Sequence, residues 1–276
     1  MTTLLIKTHE AWLEMMMAGF MSHTNNRETL LDFSDILFRH FTWLEQEMIR
    51  NGEAYDYDRD DIPIKVERLE TMLKAVIARL LEIDLQLLGL ENKALAERIA
   101  SDIAYMTSVL HEMNDEVITA FNMSRKLPGI TLTQEATDAL TIFLFEESYK
   151  EYELIMIYNY LKQHSGDAFL NRIFQILIDE SFFHLKRFGD MMAKMGILAV
   201  PRTIMKEVYQ VEDVVGFLKT GIDEELAAKE ECRKLSEAVA NDNAQLAKFF
   251  DFINNQENYH IALMKEALDY YEKVAG

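Results

Sequence analysis

Two histidines of this chain each share an apolar-facing helical stripe with a glutamate one turn away. The first pair is Glu180 and His184, in the run Asp179-Glu180-Ser181-Phe182-Phe183-His184. The second is Glu257 and His260, in Glu257-Asn258-Tyr259-His260. At about 100° per residue, Glu180 and His184 fall in line with Ile173, Leu177, Phe188 and Met191. Glu257 and His260 fall in line with Phe250, Ile253, Met264 and Leu268. A carboxylate on a core-facing stripe is costly unless it is paired or binds a metal. Two such pairs on separate helices point to one shared polar centre that the fold must close around.

The remaining sequence supplies the helices such a centre needs. Only 3 Pro and 10 Gly occur in 276 residues, and β-branched runs are scarce, so the class is all-α. Breakers and caps divide the chain into eight helices. The first four span roughly 4–22, 27–51, the stretch from Pro63 to Leu88, and 93–123. The others span roughly 134–163, 167–196, 211–240 and the stretch after Asn243 to Tyr271. Asn25 or Asn26, Thr133 and Asp167 are the expected N-caps. Gly52, Gly166 and Gly196 mark helix ends. Ser124 to Thr133, with Pro128-Gly129, reads as a linker. Met15-Met16-Met17 reads as adaptable core filler.

Charge and cysteine content exclude several functions. The formal charge is −19, with no basic stripe, which repels nucleic acid and anionic membrane surfaces. Cys232 is the single cysteine, so intrachain disulfides and Cys-based zinc or iron–sulfur sites are excluded. A reducing, cytoplasmic location fits. Residues 1–12 carry no long apolar run, so no secretory leader is expected. No stretch of about 18 apolar residues is present, so no membrane span is expected.

The pattern repeats. Aligning Gly52 with Gly196 puts His40 on His184, and aligning Asp102 with Asp251 puts His111 on His260. Pro63 and Pro201 fall in the same long connection, and Glu10 falls on Glu147. The reading is two four-helix units, residues 1–127 and 128–276, each with its long connection between the second and third helices. The first unit is expected to have lost its centre. Ile36, Ser108 and Ala75 or Val76 stand where Glu180, Glu257 and Glu225 stand later. A separate centre from His9, His40 and His111 lacks a suitable His–carboxylate spacing.

In the second unit, Glu147 lies on the stripe of Leu140, Phe143, Leu154 and Tyr158. Glu225 lies on the stripe of Val214, Leu218, Ile222 and Cys232, while Glu146 and Glu224 point further round. Folding each hairpin about its turn brings Glu147, Glu180, His184, Glu225, Glu257 and His260 to one depth. Tyr158 is either a core residue or an electron relay beside Glu147.

With Asp179-Glu180…His184-Leu185-Lys186-Arg187-Phe188 and Glu225-x-x-Ala228, the chain resembles the ferritin-like di-metal superfamily, most closely its rubrerythrin-like members. That resemblance implies two ferritin-like four-helix bundles in tandem. It also implies two iron ions, or manganese or a mixed pair, held by Glu147, Glu180, Glu225 and Glu257 with His184 and His260. The implied activity is an oxidoreductase acting with O2 or peroxide; a homodimer is compatible with it. The chain departs from the family in two ways. Glu180 and His184 are four apart rather than three, so either a π-bulge forms or the i, i+4 face serves directly. The Cys-rich rubredoxin-like relay is missing. The alternative reading is a non-enzymatic helical scaffold or metal-binding protein with a vestigial site.

Overall fold

The structure is a computed structural model and describes residues 1–62, 68–118, 126–198 and 201–275. Among these it is all-helical. The helices are α1 (Thr2–Met21), α2 (Asn26–Arg50), α3 (Leu69–Leu87), α4 (Lys93–Glu112), α5 (Gln134–Ser165), α6 (Ala168–Lys194), α7 (Lys206–Tyr209), α8 (Val214–Ala240) and α9 (Ala244–Ala275). An isolated antiparallel bridge joins Arg68 to Val117. None of the described helices is long and apolar enough to cross a membrane.

The caps explain most of the boundaries. Thr133 accepts from the backbone N–H of Ala136, and Asp167 from those of Phe169 and Leu170, so α5 and α6 start where their side chains satisfy the first free donors. Gly166 takes φ +61°, a left-handed conformation that ends α5 at low cost. Two expectations need correction. Neither Asn25 nor Asn26 caps α2 through its side chain; the Thr24 hydroxyl accepts from the Asn26 N–H instead. α4 ends at Glu112 rather than near 123, because Glu116 turns back to meet Ser22, His23 and Thr24. Pro63 and Ser124 lie outside the described residues.

The chain divides into two compact units. Unit 1 comprises residues 1–121 and 196–206, and unit 2 comprises residues 122–195 and 207–276. In unit 1, α1 packs on α2 and α3, and α4 on α3 and α2. α1 is buried on nearly every side, with Trp12, Met15 and Met16 at 0% exposure, as expected of a central helix apolar all round. Arg59 donates to the carbonyls of Pro201 and Arg202, at 2.7 and 3.1 Å, and so fixes the 196–206 segment within this unit.

In unit 2, α5 packs on α6 and α8, and α9 on α8 and α6. Among the described residues α6 and α8 are not neighbours, although they are consecutive long helices. The long connection between them therefore crosses the bundle rather than forming a hairpin. This order places the inner faces of α5, α6, α8 and α9 around one axis.

Candidate metal centre

The inner faces of the unit 2 helices carry an unusual load of buried charge. Glu147, Glu151, His184, Glu225, Glu257 and His260 are all at most 8% exposed. Their arrangement has an internal logic. His184 turns Nδ1 toward Glu151 Oε1 at 2.8 Å and Glu257 Oε1 at 3.7 Å. His260 turns Nδ1 toward Glu257 Oε2 at 2.8 Å and Glu225 Oε1 at 3.8 Å. The two imidazoles are 5.6 Å apart, centre to centre. Glu257 thus presents one oxygen to each histidine.

The outward nitrogens are also engaged. His184 Nε2 faces the Gln256 side-chain oxygen at 3.2 Å, and His260 Nε2 hydrogen-bonds to Glu180. An acceptor on Nε2 holds the proton there and leaves Nδ1 free to present a lone pair to a cation. Without a cation, acceptors on both nitrogens favour the doubly protonated ring. Burial opposes that charge, but Glu151 and Glu257 outweigh it and raise His184 to about 9. For His260, Glu180, Glu225 and Glu257 overcome burial and raise it to about 12.

The carboxylates titrate against each other. Burial and the neighbouring Glu225 push Glu257 up, although His260 opposes this. Glu225 goes down, because His260 and the proton on Glu257 outweigh its burial. The two behave as one pair sharing a proton. Burial also raises Glu147, despite its 2.7 Å ion pair with Lys150.

Two triads have donor atoms close enough to converge on an ion. They are Glu151, His184 and Glu257, and Glu225, Glu257 and His260, with donors within 4.8 Å of one another in each. Glu257 belongs to both. Its Oε2 is buried and takes no hydrogen bond, since the nearby His260 ring lies off the N–H axis. An orphaned carboxylate oxygen between two imidazoles is expensive as a structural feature and suits a cation. Hard oxygen donors with one imidazole per triad fit iron or manganese.

Of the six residues expected from sequence, His184, Glu225, Glu257 and His260 meet in these triads. Glu147 lines the adjoining cavity and pairs with Lys150. Glu180 stands behind His260 rather than between the histidines. α6 runs as an uninterrupted α-helix through both residues. The four-residue spacing accordingly sends Glu180 across to α9 instead of to the side of its own His184. Sequence reasoning missed Glu151, the nearest carboxylate to His184, and Gln256. Glu151 lies one turn after Glu147 on the same stripe, so stripe position alone could have put it on an equal footing.

A cavity of about 520 Å³ adjoins the centre between α5 and α8, with Glu151, Glu225, Glu257 and His260 among its lining.

Unit 1 handles its counterpart carboxylates differently. Glu10 and Glu14 on α1 are buried, and Arg79 from α3 reaches both. His40 is fully buried, with Nε2 2.8 Å from Asp102. His111 is exposed at the end of α4.

Comparison of the chain with protein-family models, curated proteins and solved structures returned no match.

Proposed function

We propose that unit 2 is a ferritin-like bundle holding a carboxylate-bridged pair of metal ions, iron or manganese, and that the protein is an oxidoreductase acting with O2 or peroxide. The observation that carries this reading is the Glu257 carboxylate, with Oε1 facing the His184 Nδ1 and the unpartnered Oε2 facing the His260 Nδ1. Glu151, Glu225 and Glu257 would supply the charge, and His184 and His260 one imidazole per ion. Bound in this way, the pair would supply redox chemistry toward O2 or peroxide. Gln256 and Glu180 hold the imidazole tautomers. The surrounding apolar side chains, Phe188 and Phe250 among them, keep water out of the interior.

Helix pairing supports the tandem reading of residues 1–127 and 128–276. Each unit has the same pairing order, and the second has a long crossover between its second and third long helices. For unit 1 the scaffold reading is favoured by Arg79, whose guanidinium supplies the positive charge that Glu10 and Glu14 require.

Metal analysis of protein purified without chelator tests the proposal. About two ions per chain are expected, with consumption of O2 or peroxide by the reduced protein. Stoichiometric metal without either reaction would leave a metal-binding protein only. Absence of metal after iron or manganese loading would overturn the proposal.

A further inference from the structure

The cavity between α5 and α8 is larger than O2 or peroxide requires. Its volume, about 520 Å³, falls among pockets that hold small organic molecules. Its walls include Leu154, Ile157, Tyr158, Val208 and Phe217, and its buried end is the carboxylate and imidazole centre.

Two features of the lining say what would fit. The first is Tyr158, which is 1% exposed and whose hydroxyl has no hydrogen-bond partner. Stranding a buried hydroxyl costs about 1–3 kcal/mol, and phenylalanine would fill the same space without that cost. The ring is stacked on Phe174 at 6.3 Å and edge-on to Phe217 at 6.2 Å, which holds the hydroxyl where it is. A polar donor fixed in an otherwise apolar wall suits an acceptor on a guest molecule.

The second feature is the charge of the outer lining. Lys150 is paired with Glu147, so these two cancel. Glu153 and Glu224 then leave an excess of two negative charges; Glu153 also accepts from the Tyr149 hydroxyl at 3.1 Å. The chain as a whole carries −19. An anionic guest would be repelled and a protonated amine attracted.

We propose that this cavity binds an organic amine whose apolar body carries a hydrogen-bond acceptor, with the ammonium near Glu153 and Glu224 and the acceptor on the Tyr158 hydroxyl. The assignment of this amine as substrate rests on the two-metal reading above; its binding does not. Leu154, Ile157 and Phe217 enclose the apolar body.

Calorimetric titration of the metal-loaded full chain with 8-amino-1-octanol, octylamine and octanoate tests this. Both amines are expected to bind with one site per chain, and octanoate is not. Tyr158→Phe should weaken 8-amino-1-octanol by up to about tenfold and leave octylamine unchanged, since only the alcohol uses the hydroxyl. Glu224→Lys should weaken both amines. Ala228→Phe, which fills the cavity, should abolish binding of both and so separates the cavity from amine adsorption on an acidic surface. The inference is overturned if octanoate binds as well as octylamine, if Tyr158→Phe shifts both amines by the same factor, or if Ala228→Phe leaves amine binding intact. Metal content measured on the same samples separates the two readings. Metal-loaded protein that ignores the amines defeats the cavity alone, and amine binding by a chain that takes up no metal defeats the two-metal centre alone.

Discussion

Arg79 grips Glu14 with both arms of its guanidinium: Nε lies 2.8 Å from Oε2 and Nη2 lies 2.8 Å from Oε1. Its other terminal nitrogen donates to Glu10. Bidentate charge-assisted pairing of this kind satisfies buried carboxylates that would otherwise need a cation. Unit 1 therefore keeps the acidic face of α1 without a metal.

Arg79→Met should strand Glu10 and Glu14. Breaking a buried pair by removing one partner costs roughly 3–5 kcal/mol. Denaturant unfolding should show that loss, and adding Glu10→Gln and Glu14→Gln should recover most of it. The metal content of the full chain should not change. A loss of metal on Arg79→Met would place a metal ligand set in unit 1.

The two units should respond to pH in opposite directions once metal is removed. Burial lowers His9 strongly, and it lowers His40 despite Asp102. An unfolded histidine takes up its proton near pH 6.5 while these two do not. Their contribution is present above that value and is lost as pH falls below it. In unit 2, His184 is raised to about 9. Its contribution is complete below pH 6.5 and is lost as pH rises toward 9. Glu257, raised by burial and Glu225, acts in the same direction from about pH 4.5 upward. Thermal melts of chelator-treated protein should show one unit weakening in acid and the other in alkali. Parallel behaviour of both transitions would contradict the charge assignments.

Much of this organisation was legible in the sequence because helical periodicity is a local property. The stripes through His184 and His260 placed both rings in the interior, and Thr133, Asp167 and Gly166 marked helix ends by chemistry that needs only neighbouring residues. Partner choice was less legible. Glu147 and Glu151 share one stripe, and only the packing of α5 on α6 brings Glu151 to His184. Glu180 lies one turn from His184 in sequence, yet it bonds to His260 from another helix. The end of α4 depended on Glu116 meeting Ser22, a contact 94 residues away in sequence.

Glu180 offers a test of that distinction. As an acceptor behind His260 it orients the ring, so Glu180→Ala should weaken metal affinity about 10–100-fold while full loading stays attainable at high metal concentration. Equilibrium titration with iron or manganese measures both quantities. Permanent loss of one ion per chain would make Glu180 a direct ligand instead.

The shared carboxylate of Glu257 is the centre of the account. Metal binding to the folded form alone stabilises it by mass action. Glu257→Gln removes a buried charge, so it should raise the stability of the metal-free protein while weakening metal binding. Paired melting curves, with and without iron, for wild type and Glu257→Gln measure both effects at once. The account predicts a wild-type midpoint that rises with iron, a variant midpoint above wild type without iron, and a smaller iron-induced rise in the variant. A wild-type midpoint indifferent to iron, with Glu257→Gln shifting neither curve, would contradict it.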